Sequence, residues 1–302
     1  MDRIKHIVLL GAGAIGMLIA EKLFNFPGIR FTIAGNSTRI ERYRRHGIFF
    51  NDSKLPLVFA SPEDMTSLPP ADIIIAATKT TSLSDALPCV DPLVNSDTIF
   101  LPLLNGITAH EVIADHFPGN TVLRGFFLGH ASVRQNNRIY HDGVGTFYCG
   151  GEQHALQTVM GLFSAAGINV SAPEDMDSAI WKKFILNVGI NQTQAMFYAD
   201  YGTVQKSPEL LDFCRNLMLE ALSIAKAENI SGTADMITSA MNVITSMPPG
   251  VQTSMLQDIT ARRLTEVNAF AGTVCAKAEK YSIKVPLNRR VLNEITRREK
   301  EF

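Results

Sequence analysis

Lys183, Asn187 and Asn191 stand four residues apart in an otherwise largely apolar run, Trp181-Lys182-Lys183-Phe184-Ile185-Leu186-Asn187-Val188-Gly189-Ile190-Asn191. In a helix that spacing puts all three on one face. Phe184, Ile185, Leu186, Val188 and Ile190 occupy the rest of the circumference, so the helix is expected to be largely buried and its polar stripe to meet partners or a ligand. One cation and two amides suit a small anionic, carbonyl-bearing molecule. The plainer alternative is a stripe satisfied by neighbouring backbone. A second set, Ser254, Asp258, Arg262 and Glu266, repeats the spacing of four near the end of the chain. Asp258 and Arg262 read there as an exposed ion-paired ladder.

A third set suggests what else the chain binds. Gly11-Ala12-Gly13-Ala14-Ile15-Gly16 follows a compact apolar run, residues 4–10, and opens a helical stretch, residues 14–24. That is the order strand, G-x-G-x-x-G, helix of a dinucleotide site. Gly11 permits the tight turn, Gly13 lets backbone approach a pyrophosphate, and Gly16 lets the helix pack on the strand. The second strand, expected at 30–34, ends without Asp or Glu. It runs into Gly35-Asn36-Ser37-Thr38-Arg39, and the pair Asn36 and Arg39 suits a 2′-phosphate better than a bare 2′-hydroxyl, which points to NADP(H). Further strands at 72–78 and 98–104 deliver Lys79 and Asn105 to the edge where such sheets bind ligands.

The elements that must position these residues fall into two groups. Up to about residue 172 the pattern is α/β: a Rossmann-type dinucleotide-binding domain, residues 1–172, closed by antiparallel strands with Asn136-Asn137 as a hairpin turn between 131–135 and 138–141. His130 and His141 fall in this stretch and are lesser candidates for a proton donor. A helix at 151–167 and an edge strand at 168–170 complete it. From 173 to 302 the periodicity is helical, with helices expected at 177–198, 208–228, 234–247 and 255–280.

Composition narrows the classes. A length of 302 residues, 46% of them hydrophobic, supports two cores. With 28 basic and 29 acidic residues the net charge is -1, so no overall field recruits nucleic acid or an anionic membrane. Cys89, Cys149, Cys214 and Cys275 are scattered, without CxxC or Cys/His spacing for a metal, and fit a reducing cytoplasm. No apolar run has the ~18 residues of a spanning helix. Apolar helical domains often dimerise, which leaves a homodimer open.

Over essentially its whole length the chain resembles the ketopantoate reductase family. The likeness is carried by GAGAIG at 11–16, Lys79 after its strand, LLNG at 103–106, WKKFILNVGIN at 181–191, TSMLQDI at 253–259, R-x-T-E at 263–266 and Ile283-Lys284-Val285-Pro286. The resemblance implies that Lys183 is the catalytic general acid, that Asn105, Asn187, Asn191, Ser254 and Glu266 surround a small 2-oxo acid substrate, and that Lys79 lies where cofactor and substrate meet. Because Lys79 and Asn105 fall in the first domain and Lys183 and Glu266 in the second, a cleft between the two is the expected binding place. Hydride addition to a 2-oxo carbon leaves an alkoxide, which a lysine ammonium can first polarise and then protonate. The chain departs from the family at Asn36, where an arginine is usual, and at Thr108, Gln192 and Tyr201. Reduction of 2-dehydropantoate is therefore the first expectation. A sister reductase of another branched or aromatic 2-oxo acid, with either nicotinamide cofactor, is the second, and a dinucleotide-binding sensor without turnover is the third.

Overall fold

The computed structural model describes residues 4–129, 132–142 and 145–302. Its first strand, β1 (His6–Leu10), is buried along its whole length, the pattern of a strand covered on both faces. The chain turns at Gly11 into α1 (Ala14–Leu23) and returns as β2 (Arg30–Ala34). Then follow α2 (Ser37–His46), the short β3 (Phe49–Phe50) and β4 (Ser53–Lys54), β5 (Val58–Ala60), β6 (Ile73–Ala76), α3 (Leu83–Ala86), β7 (Ile99–Pro102), α4 (Ala109–His116) and β8 (Thr121–Val122). Six of these strands form one parallel sheet in the order β5-β2-β1-β6-β7-β8. At its centre Val8 pairs with Thr32 on one side and Ile74 on the other. Alternate residues feed separate cores: Ile7 and Leu9 pack under one face, Val8 and Leu10 under the other. The order reverses at β1, so the crevice beyond its carboxyl end, at Gly11, is where such a sheet receives a ligand.

Among the described residues the remaining strands of this unit pair in both senses, three pairings antiparallel and two parallel, so the expected antiparallel closure holds only in part. β9 (Arg124–Leu128) pairs with a later strand, and β10 (Ser132–Gln135) forms a hairpin with β11 (Arg138–His141), its turn made by Asn136 at φ 54° and Asn137. β12 (Thr146–Gly150), α5 (Gln153–Ala165) and β13 (Asn169–Ser171) complete it. These strands make two small sheets, β10-β11-β3-β4 and β13-β12-β9. The α/β class, the glycine turn and the hairpin match the sequence expectation.

The helical unit consists of α6 (Met176–Phe197), α7 (Tyr201–Lys206), α8 (Pro208–Ala227), α9 (Met236–Ser246), α10 (Ser254–Thr260), a π-helical turn at Asn268–Gly272, α11 (Thr273–Tyr281) and α12 (Pro286–Glu299). α6 and α8 approach so closely that a Cβ on Gly189 would stand 2.6 Å from Met218 Cγ and 3.0 Å from Cys214 Sγ. Two expectations need correction. The single helix at 255–280 is broken: α10 ends with Arg262 at φ 51°, while the Arg262 and Arg263 amides bond back to the Ile259 and Asp258 carbonyls. The face shared by Ser254, Asp258, Arg262 and Glu266 therefore does not exist, and Asp258 pairs with Arg263 at 2.8 Å instead of with Arg262. The boundary also moves. The compact units are 1–104 with 109–176, and Asn105–Thr108 with Asp177–Phe302. Met176 stays with the first because it packs on Gly150, where a Cβ would lie 2.7 Å away. Among the described residues no helix is long and apolar enough to cross a membrane.

At the amino edge of the sheet the buried His6 is held by its ring: Nδ1 lies 2.9 Å from the Pro69 carbonyl and Nε2 3.0 Å from Thr32 Oγ1. A neutral ring protonated at Nδ1 and accepting from Thr32 satisfies both contacts. Burial lowers its pKa below 6.5, outweighing the Pro69 and Pro70 carbonyls that favour the charged form. The folded pKa lies below the unfolded one, so the unfolded chain takes up the proton first. This contribution to stability is complete above pH 6.5 and declines as pH falls through the lowered value. Urea midpoints measured across this range should fall with pH, less steeply for His6→Gln than for the unaltered chain. Equal slopes would remove His6 from the explanation.

Candidate active site

In the first unit the glycine turn is built tightly enough that no side chain fits at Gly11 or Gly16. A Cβ on Gly11, where φ is 98°, would stand 2.9 Å from the Ala77 carbonyl oxygen and the Thr78 amide. On Gly16 it would lie 2.7 Å from the Gly11 carbonyl oxygen, and on Gly13, the residue that caps α1, 3.3 Å from Ala77 O. The Gly13 cap makes no side-chain hydrogen bond and the first turn of α1 holds no acidic residue. The leading amides of α1, with Ala14 and Ile15 in the first turn, thus face outward without a carboxylate beside them. This is the arrangement a pyrophosphate requires, and these residues fit a dinucleotide. The Gly11 amide bonds Ala34 O at 3.3 Å, so the turn leans on the end of β2.

Beyond β2 the exposed Asn36 caps α2: its Oδ1 accepts from the Arg39 amide at 2.9 Å. Its carbonyl oxygen is thereby engaged locally, while the side chain of Arg39 is exposed, with no ion pair among the described residues. Lys79 follows β6 at the carboxyl edge and is exposed.

The second unit brings together three of the predicted residues. The Lys183 ammonium donates to Asn105 Oδ1 at 3.2 Å, and Asn105 Nδ2 donates to Glu266 Oε2 at 2.7 Å. Asn105 reaches this position because the Asn105–Thr108 turn belongs to this unit. Gly106 there has φ 93°, and a Cβ on it would stand 3.3 Å from Ala269 O. Glu266 sits at the entry to the π-helical turn, its carbonyl accepting from the Ala269 and Phe270 amides. The segment before it is held by Glu299, which accepts from the Thr265 amide at 2.7 Å and the Thr265 hydroxyl at 2.6 Å. Burial of the ammonium lowers the Lys183 pKa to about 8, and the charge of Glu266 opposes the fall. The residue as a whole is only partly buried, so the amine is enclosed without being sealed.

Asn187 and Asn191 lie on the Lys183 face of α6, and neither side chain bonds another described residue, which leaves both amides available to a ligand. Ser254 is exposed at the first position of α10. The spacing of four passes over Gln194, which continues the same face three residues beyond Asn191. Fully buried, it accepts from the Thr253 amide at 2.8 Å and so ties α6 to the start of α10. A count in steps of seven and eleven from Asn187 and Lys183 would have found it. Tyr201, a departure from the family pattern, packs in the helical core with Val204 and Cys214, and burial pushes its hydroxyl up to about 12. Gln192 is buried and bonds Val188 O and Asn288 Oδ1. His141 stacks on Phe50 with its ring buried, a packing position, and His130 lies outside the described residues.

A doubly wound parallel sheet with a phosphate-sized glycine turn, together with a helical unit carrying a lysine bonded to an amide that in turn bonds a carboxylate, defines a Rossmann-type oxidoreductase. Residues 7–153 match the family "Ketopantoate reductase PanE/ApbA" and residues 175–299 match "Ketopantoate reductase PanE/ApbA C terminal". The chain belongs to the ketopantoate reductase family. It is 28% identical to a 2-dehydropantoate 2-reductase of Pyrococcus horikoshii, covering 93% of each chain. With the enzyme of that name from Vibrio cholerae it shares 27%, covering 96% of each. Among solved structures, dimeric ketopantoate reductase from Staphylococcus aureus superposes with a TM-score of 0.83 at 22% identity, over 98% of this chain and 99% of that one. D-mandelate dehydrogenase with NADH and anilino(oxo)acetate superposes with a TM-score of 0.86 at 20% identity, over 98% of each. At these identities the two structures establish the fold.

Replacing Gln194 by the similarly sized Met strands the Thr253 amide in the core, at a cost of about 1–3 kcal/mol. Urea unfolding should register that loss, and an unchanged midpoint would show that the bond contributes nothing.

Proposed function

We propose that this protein reduces 2-dehydropantoate (ketopantoate) to (R)-pantoate with NADPH, the step that supplies pantoate for pantothenate and coenzyme A. The observation that carries the reading is the chain of contacts from Lys183 through Asn105 to Glu266. Bound NADPH supplies hydride to the 2-oxo carbon. Lys183, still largely protonated at neutral pH with its pKa at about 8, donates through Nζ to the carbonyl oxygen. It then releases its proton to the alkoxide and recovers one from solvent. Asn105 holds the ammonium in register, and Glu266 supplies the charge that keeps it protonated despite burial. Asn187 and Asn191, whose amides have no described protein partner, with Ser254, bind the substrate carboxylate and hydroxyl without introducing a second charge. Gly11, Ala12, Gly13, Ala14, Ile15 and Gly16 receive the pyrophosphate, Arg39 the 2′-phosphate, and Lys79 the region near the nicotinamide.

A second reading, reduction of a different branched or aromatic 2-oxo acid with NADH, is favoured by one feature: the residue after β2 and Gly35 is Asn36, whose oxygen caps α2, so no arginine stands there to receive a 2′-phosphate. A sensor without turnover has no use for a proton donor beside a carboxylate. We assign the protein to the cytoplasm and, by likeness to the dimeric relative, to a homodimer.

Initial rates of NADPH and NADH oxidation with 2-dehydropantoate as sole acceptor test the reading, and absence of turnover with either would reject it. Lys183→Ala should lower kcat by about 10²–10⁴-fold, the usual worth of a general acid, while cofactor affinity holds. Reduction by the unaltered protein should decline as pH rises past about 8, where the ammonium is lost. Glu266→Gln removes the charge that raises this pKa, so the alkaline limb should shift to lower pH. A limb that stays in place in Glu266→Gln would mean that Lys183 is not the titrating donor.

A further inference from the structure

The adenosine end of the dinucleotide site holds a carboxylate that β2 itself does not supply. In sheets of this kind an Asp or Glu at the end of the second strand accepts from the ribose 2′-hydroxyl, or an Arg nearby receives a 2′-phosphate. Here β2 runs into Gly35 and Asn36, with no acid. The neighbouring strand β5 brings one. The Gly35 amide bonds Ala60 O at 3.3 Å, aligning the two strand ends, and the chain after β5 turns so that Ser37 Oγ, in the first turn of α2, donates to Glu63 Oε1 at 2.8 Å.

Two adjacent carboxylates stand in this turn and they have different partners. Asp64 is paired with Arg44 at 2.6 Å and also accepts from the Ser61 amide and hydroxyl, so its charge is matched. Glu63 has no cation within ion-pair distance among the described residues; it is exposed, and hydrogen bonds from the Ser61 side chain, a backbone amide and the Ser37 hydroxyl hold its carboxyl below its ordinary pKa. On the same rim Arg39 is exposed and likewise without an ion pair, its Cδ 4.0 Å from where a Cβ of Gly35 would be. One unpaired cation and one unpaired anion thus flank the place where the two nicotinamide dinucleotides differ.

We propose that Glu63 sets the choice between these dinucleotides: held by Ser37, its carboxylate accepts from the 2′-hydroxyl of NADH and repels the 2′-phosphate of NADPH, against the attraction of Arg39. The proposal rests on the reading of Gly11–Gly16 as a dinucleotide turn and is independent of which 2-oxo acid is reduced. It accounts for a rim that has neither acid nor arginine directly after β2 and still carries an exposed cation, since the balance of Arg39 against Glu63 replaces a single dominant residue.

The test uses the full-length protein and two fragments that need no turnover, ADP-ribose and 2′-phospho-ADP-ribose, titrated calorimetrically. Glu63→Gln, isosteric and at an exposed position, should raise the affinity ratio in favour of the phosphorylated fragment by about tenfold. The shift should shrink at high ionic strength, as an exposed electrostatic effect must. Arg39→Gln should move the ratio the other way. A ratio unchanged in Glu63→Gln overturns the proposal. Failure of both fragments to bind the unaltered protein overturns the dinucleotide reading and the proposal with it. A shifted ratio in a protein that does not reduce 2-dehydropantoate leaves the proposal standing and removes only the substrate assignment.

Discussion

An enclosed ammonium is the constraint around which the helical unit is arranged. Burial alone favours the neutral amine, and a charged group left without partners inside a protein is destabilising. Lys183 escapes this because Asn105 connects it to Glu266, so that the amide spans the cation and the carboxylate. Three segments distant in sequence must hold position for that contact to exist. Each is fixed by a separate local device: the positive φ of Gly106 against Ala269, the grip of Glu299 on Thr265, and the close seating of Gly189 on α8. The first two devices meet in one segment, since the Ala269 amide bonds the Glu266 carbonyl beside Thr265, and the third acts on α6, which makes the geometry of the amine a property of the whole unit.

The same logic explains how much could be read from residues alone. β1, the glycine turn and α1 were legible because burial, turn and helix follow one another without interruption, and only glycine fits at 11 and 16. The hairpin at Asn136-Asn137 was legible for a similar reason, since asparagine accepts the left-handed backbone that the turn imposes. The polar face of α6 could be counted because that helix runs unbroken through Gln192, whose side chain bonds Val188 O and Asn288 Oδ1.

The end of α10 was illegible. Its stop is a left-handed residue of the kind normally signalled by glycine, and here that residue is Arg262. Spacing by four therefore ran across a break and joined Asp258 to the wrong arginine. The π-helical turn behind Glu266 has no sequence signal comparable to a glycine or proline, and α12, which opens at Pro286, lies beyond the last helix expected from the spacing of apolar residues. Membership of Asn105 in the second unit could not be inferred from spacing either, because it depends on which core Ile107 enters.

That last feature bears on inheritance. Because Asn105–Thr108 leaves the first unit and the chain then returns to it at Ala109, the helical unit is assembled from two pieces of polypeptide separated by 68 residues of the other (109 to 176). A recombination event that exchanged everything after Met176 would carry Lys183 and Glu266 but leave Asn105 behind. The helical half of this chain is therefore not a portable cassette, and an exchange that keeps the contacts from Lys183 through Asn105 to Glu266 has to preserve a tetrapeptide encoded far upstream.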